Sequence, residues 1–386
     1  MSKINVRSFS NENDDGAPDI VGVSTFSSTA YFVPTKGTTA QRPSDHVEVG
    51  SLRFNTDTSN LEYYRGHGIG WSQFELIDPD LGGGTGSNTG LGTRALFSGG
   101  NNGSTYDDIE FITISTLGNT QDFGNLVAIT LASGNGASRT RGVIGGGQQP
   151  GSFHDKIDFV TIASTGNASD FGNLTSARDF LGGLSNQTRG LFFGGRNPSS
   201  LNIIDYITIA QTGNAVDFGD LLSTRHNYPM GAASSTRGLM AACVGGTPTK
   251  EIDFVTISTT GNGQDFGDTT VIQGGAGASN STRAIFAGGY ISPAKGNVIE
   301  FATIATLGNS QDFGDLTSAR RGLGGVASPT RACFAGGQTS EDVNTIDYVT
   351  IATLGNAADF GDLTLASSSN GKKKNVSGCS NGHGGL

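Results

Sequence analysis

The chain has 386 residues, 61 of them glycine, with 35% hydrophobic and only 15% charged residues. Glycine at roughly 16% against ~7% in ordinary proteins, with hydrophobic content intact, is the profile of a turn-dense β-protein and not of a disordered one. With 24 Lys and Arg against 34 Asp and Glu, the formal net charge is −10; this argues against nucleic acid as a partner, because phosphate binding needs a basic face.

Residues 1–31 are mostly polar, with Asn11-Glu12-Asn13-Asp14-Asp15-Gly16 in succession, and read as an extended arm that orders against a partner. No secretory leader follows Met1-Ser2-Lys3 and no run approaches ~18 apolar residues, so synthesis in a cytoplasm without membrane insertion is expected. Residues 32–80 read as a small β-meander: a strand over 50–55, a turn at 56–60, a strand over 61–64, a glycine turn and a strand from Trp71 to Leu76. Its aromatics Phe54, Tyr63, Trp71 and Phe74 are expected to form a core or a docking face. So short a segment makes a poor self-sufficient core, which points to packing against another chain. Residues 81–92 are a Gly-rich linker with no Lys-Ser/Thr to make a phosphate loop.

From residue 93 the chain repeats itself. Thr-Arg recurs at Thr93-Arg94, Thr140-Arg141, Thr188-Arg189, Thr236-Arg237, Thr282-Arg283 and Thr330-Arg331, with successive arginines 47, 48, 48, 46 and 48 residues apart. Each Thr-Arg is followed by Gly-Gly, an Ile-acid-aromatic triplet such as Ile204-Asp205-Tyr206, a Gly-Asn turn and Asp-Phe-Gly. The third copy predicts four short strands at Asp179–Leu184, Arg189–Gly194, Ile204–Ala210 and Val216–Leu221, punctuated by Gly, Asn and Ser. In the third strand Ile204 and Tyr206 face one side and Ile207 and Ile209 the other, so both faces need cover, as radially stacked sheets provide.

Four strands in a unit of 40 to 50 residues fit a β-propeller blade. The order of features resembles the kelch family: diglycine, an aromatic in the third strand, an aromatic in the fourth, then a connector arginine (Arg178, Arg225, Arg320). Phe123, Phe171, Phe218, Phe266, Phe313 and Phe360 stand where kelch proteins carry Trp, and the connector arginine is absent after copies one, four and six. The expected fold is therefore all-β, a six-bladed kelch-like β-propeller over residues 93–371 behind a small β-meander anchoring module, with residues 372–386 a flexible tail. Leu365 to Asn370 is expected to return and pair with Arg94 to Gly100, closing the ring; Thr89 to Gly92 is the alternative.

Gly37 to Pro43 (GTTAQRP), Gly50 to Asp57, Leu61 to Tyr64 and Trp71 resemble a module of virion proteins of tailed bacteriophages, especially marine and cyanobacterial phages. The tandem Gly-Asn-x-x-Asp-Phe-Gly repeats are similar to those of the same phages. The resemblance implies a virion structural protein, a tail fibre or tail-associated appendage docked through its N-terminal region, with the propeller turned to the host surface. It also implies other virion proteins as partners, homo-oligomers on the particle and a virion location after assembly in the host cytoplasm. A capsid decoration or head fibre is the alternative, and a carbohydrate-cleaving propeller a more distant one.

Alternating strand directions put the Thr-Arg turns and the Gly-Asn-x-x-Asp turns on one rim, so each Thr-Arg arginine is expected to pair with an Asp of Asp-Phe-Gly. The opposite rim varies between copies, from NNGSTYDD in the first to QTSEDVNT in the sixth, and variable loops on a repeated scaffold are the expected recognition surface. Tyr106, Phe153, His154, Asn197, Tyr290 and Glu341 are the candidates, with a host glycan or receptor as ligand. Asp-Phe-Gly is the magnesium triplet of kinases, but no copy brings the other kinase elements. Spacing such as Asn214, Asp217 and Asp220 leaves calcium as an alternative, though alternating ligands are absent. No metal or cofactor is expected. No copy breaks the symmetry with a carboxylate cluster or a Ser/His/Asp set, and the five histidines are dispersed, so no enzyme is expected either. Cys243, Cys333 and Cys379 are too scattered for a disulfide framework or zinc site, and the first two fall where small buried residues belong.

Overall fold

A computed structural model of the chain describes residues 34–44, 47–58, 60–73, 93–245, 247–270, 274–291, 294–365 and 370–386. It divides into two compact units, Met1–Asp78 and Pro79–Leu386. The fold is all-β, built from small open sheets.

In the N-terminal unit Leu52–Asn55, Asn60–Tyr64 and Trp71–Gln73 form an antiparallel meander, with Lys36–Gly37 added in parallel beside Leu52–Asn55. Its centre is polar where aromatics were expected. Arg53, Asn55 and Glu62 are buried with Tyr64, while Phe54, Tyr63 and Trp71 are half-buried; Phe74 lies outside the described residues. Glu62 accepts from Arg42 and, at 2.8 Å, from Asn55 Nδ2, with Arg53 at 3.6 Å. Hydrogen bonding from Arg42 holds the Glu62 carboxyl down to about 2.

The second unit contains six four-stranded antiparallel sheets. The third comprises Asp179–Ser185, Arg189–Arg196, Leu201–Thr208 and Val216–Arg225, paired in chain order. Between the second and third strands, copies one, two and five add a two-stranded ribbon, for example Gln148–Gln149 with Ser152–Phe153. In each copy the triplet phenylalanine, 2–3% exposed, meets the third-strand aromatic edge to face at 5.9 to 6.2 Å. Burying each such ring contributes about 2–3 kcal/mol.

Six hydrophobic cores lie between consecutive copies, and not within them. Phe171 and Val143 of copy two pack with Phe192 and Ile207 of copy three, and Phe360 and Cys333 of copy six pack with Phe97 and Ile112 of copy one. This is why both faces of the third strand are apolar: each serves a different neighbour. Backbone joins the sheets as well. The Gly-Asn glycine of each copy donates its N–H to the triplet phenylalanine carbonyl of the copy before, from Gly166 to Phe123 at 2.7 Å round to Gly118 to Phe360 at 2.9 Å. The triplet glycine holds φ between +142° and +148°, and a Cβ there would lie 2.4 to 2.5 Å from the neighbouring glycine's carbonyl oxygen. Glycine is required at this position on both counts.

The first copy takes its first strand from the far end of the chain. Ser377–Ser380 pairs antiparallel with Arg94–Ser98, with Cys379 opposite Leu96. A C-terminal strand was expected here but placed at Leu365 to Asn370, of which 366–369 lie outside the described residues. The flexible tail expected at 372–386 is likewise corrected: Lys373 is fully buried, Ser377–Ser380 is a strand and His383 is buried. The physical reason is an insertion. Gly325 of copy six follows its preceding triplet phenylalanine, Phe313, by 12 residues, whereas the equivalent Gly378 follows Phe360 by 18.

Candidate functional site

At the uniform end of the array the six Thr-Arg arginines form a ring, but not with the triplet aspartates. Each guanidinium lies over its own third-strand aromatic at 4.4 to 4.9 Å, Arg94 on Phe111 through to Arg331 on Tyr348. Its Nη1 then donates, at 2.8 to 3.1 Å, to the carbonyl of the isoleucine that immediately follows the third strand of the next copy. The series runs Arg94 to Ile162, Arg141 to Ile209 and onward to Arg331, which reaches Ile114 of copy one. Alternation along the fourth strand explains the correction: phenylalanine points into the core, so the preceding aspartate points out and is exposed. Capping there falls to the turn asparagine, whose Oδ1 accepts from a backbone N–H of the preceding copy at 3.0 to 3.1 Å. Asn214 Oδ1 is thus bonded to Asn173 N–H, which removes it from the spacing read for calcium.

The third-strand acids are buried at the sheet-to-sheet joints. Asp205 pairs with Arg178 at 2.9 Å, Asp347 with Arg320 at 2.9 Å, and Asp253 with Arg225. Where copy six lacks its arginine, Lys373 supplies the charge, 2.7 Å from Glu110. After copy one Thr130 occupies the arginine's place and bonds His154 Nε2 at 2.9 Å, leaving Asp158 with the Val127 N–H at 2.9 Å. Burial pushes the Asp158 carboxyl up and the His154 imidazole down.

The opposite end carries the sequence candidates, and they do not converge. His154 belongs to the joint just described, and Phe153 sits in the copy-two ribbon opposite Gln148. Tyr106 is half-buried, its N–H bonded to Gly100 and its carbonyl to Thr130. Asn197 is exposed and its Nδ2 donates to Ala177 at 2.7 Å. Tyr290 pairs with Lys295 in the copy-five ribbon, and the exposed Glu341 lies 4.0 Å from Lys372. In the N-terminal unit Trp71 packs on Tyr64 at 5.4 Å between centroids and donates Nε1–H to Pro43 at 3.1 Å.

What this end does bring together are the connectors. Phe180, Asn227, Tyr228, Gly274, Arg321, Gly322, Gln338, Lys374 and Asn375 line a cavity of about 230 Å³. The residue three places before each first-strand contact point has a left-handed backbone in all six copies: Ala132, Phe180, Tyr228, Gly274, Gly322 and Asn375, with φ from +51° to +77°. Backbone bonds run between neighbours, Gly322 to Gly274 at 2.7 Å and Asn375 to Gly322 at 2.7 Å among them. A left-handed conformation costs a bulky side chain about 1–2 kcal/mol, and copies five and six avoid this with Gly274 and Gly322. Phe180 and Tyr228 bear it, meeting edge to face at 4.8 Å with Arg196 stacked on Phe180 at 4.7 Å.

The chain matches no known protein-family profile and no curated protein. The cavity could not be found by comparing the most variable loops, because its aromatics and cations stand in connectors. The available signal was the aligned series Ala132, Phe180, Tyr228, Gly274, Gly322 and Asn375, in which large rings replace glycine. At the other end, residues 381–386 lie across the first strands: His383 Nε2 donates to Ala137 at 2.9 Å and Gly384 N–H to Ser279 at 2.8 Å. Burial pushes the His383 imidazole down to about 4.

Proposed function

We propose that the second unit is a six-bladed kelch-like β-propeller and that the chain is a bacteriophage virion protein, docked by its N-terminal region and presenting the propeller to the host surface. The propeller reading is supported most directly by the arginine series, since six identical bonds that return from Arg331 to Ile114 describe a ring of six equivalent sheets. The functional reading rests on the contrast between the two ends. One repeats the same arginine, asparagine and glycine contacts six times, as a scaffold must, while the other differs in every copy, as a recognition surface does. The virion assignment comes from the resemblance of Gly37 to Pro43 and Gly50 to Asp57 to phage virion modules. In this reading the partners are other virion proteins and a host glycan or receptor, copies of the chain associate on the particle, and no catalysis, nucleic acid or cofactor is involved.

Antibody labelling of purified particles, combined with adsorption of the isolated protein to host cells, tests this. Label at the tail and saturable adsorption are the expected results. Label on the head would favour a capsid decoration. Absence from particles would overturn the virion reading, and release of sugars from host polysaccharide would overturn the non-enzymatic one.

A further inference from the structure

The connector cavity has features that the scaffold does not need. Two of its walls are rings held in a backbone conformation that glycine occupies in copies five and six, so their presence costs the fold locally and calls for a return elsewhere. The Tyr228 hydroxyl oxygen is buried without a hydrogen-bond partner among the described residues. Charge gathers here against the trend of an acidic chain. Arg321 and Lys374 line the cavity, and Lys295 lies nearby with its ammonium lowered first by burial and then by both of these cations; the carboxylates here are Asp342, 3.3 Å from Lys374, and the buried Asp179, held by Arg196 at 3.0 Å. Among the described residues Arg321 has no carboxylate partner and stands exposed at the cavity wall. At about 230 Å³ the space lies below the range of about 300–1,000 Å³ of drug-sized sites and suits one sugar ring.

We propose that this cavity binds a single carboxylated sugar residue of the uronic-acid type within an acidic surface polysaccharide, its ring against Phe180 and Tyr228 and its carboxylate on Arg321 and Lys374. The chemistry selects this class. A neutral sugar would leave Arg321 without a counter-charge, and a bare phosphate would leave the two rings uncovered. A guanidinium is suited to carboxylate by its planar fork, and aromatic faces suit the C–H face of a pyranose. The proposal rests on the host-facing reading and narrows it to one ligand class at one place.

The test uses the full chain, titrated calorimetrically with glucuronate and galacturonate oligomers, neutral glucose and galactose oligomers, and inorganic phosphate. Uronate oligomers are expected to bind saturably and about 10-fold or more tighter than neutral ones, with affinity falling as salt rises. Arg321→Ala, an exposed position, is expected to weaken uronate binding about 10-fold, in line with loss of a charged hydrogen bond. Phe180→Gly is expected to abolish binding while the protein remains folded by circular dichroism, because glycine accepts the left-handed backbone. Equal binding of neutral and acidic oligomers, unchanged affinity in Arg321→Ala, or phosphate competing as well as uronate would overturn the proposal. Host-cell adsorption that persists in Arg321→Ala and in excess uronate would sink this site while leaving the host-facing reading intact. Uronate binding without adsorption would do the reverse.

Discussion

Lys373→Ala gives the sharpest test of how the end of the chain is joined to the first copy. The Lys373 side chain is fully buried with its ammonium 2.7 Å from Glu110, itself fully buried. Removing one partner of a buried ion pair leaves an uncompensated charge and costs about 3–5 kcal/mol. Here Glu110 keeps neutral donors, Thr120 Oγ1 at 2.7 Å and the N–H groups of Thr364 at 2.8 Å and Leu365 at 2.7 Å, which places the cost at the low end, about 3 kcal/mol. For a unit of this size each kcal/mol moves Tm by about 2 °C, so a fall of about 6 °C is expected. Urea denaturation should show the midpoint shifting at constant slope. Lys372→Ala, at a half-exposed side chain, is the control and should stay within about 0.5 kcal/mol of the parent. Lys373→Arg should be tolerated, since arginine fills the corresponding role opposite Asp205 and Asp347. If Lys373→Ala and Lys372→Ala behave alike, Lys373 is not the missing connector cation and the reasoning fails.

Three further outcomes follow from the geometry. Gly219→Ala, at φ +146° with its Cβ 2.5 Å from the Gly261 carbonyl oxygen, should destabilise by more than about 2 kcal/mol in chemical denaturation, whereas a glycine with open space around it such as Gly103→Ala should cost less. His383 has a folded value near 4 against an ordinary 6.5, so the unfolded chain takes up the proton first. This contribution is full above about pH 6.5 and declines as pH falls toward 4, and His383→Gln should reduce that slope in a Tm series, leaving the part carried by His154 and His226, which burial also lowers. Burial pushes the Cys333 and Cys379 thiols up to about 12, so in a Cys243→Ser background a thiol reagent at pH 8 should modify them only after denaturant is added; rapid labelling of that native protein would contradict their placement.

The period, the four strands per copy and the apolar load on both faces of the third strand were legible because they are local patterns repeated six times. The strands expected at Arg189–Gly194 and Val216–Leu221 are found at Arg189–Arg196 and Val216–Arg225. The misreadings arose where a contact crosses between copies. Arg189 was expected to pair with an aspartate of Asp-Phe-Gly, but its guanidinium runs along Tyr206 to Ile257 of the next copy. Lys373 looked like part of a solvated charge run because the six-residue insertion before it hides its equivalence to Arg178. The N-terminal meander carried a clear strand pattern, yet nothing in it announced that Glu62, and not Phe54, would occupy the centre.

Drawing the first strand of the first sheet from Ser377–Ser380 sets an order on biogenesis. A ribosome releases Arg94–Ser98 nearly three hundred residues before its partner, and until then that edge is an unpaired template for pairing with another chain. Five sheets can form in sequence, but the last joint locks only when residues 373–380 arrive with both the strand and the lysine. A nascent chain cut short before that point keeps an open edge and a buried acid without its cation, features that a protease or chaperone can read. Losing residues 373–380 therefore takes from the first sheet its edge strand and from Glu110 its cation in a single step.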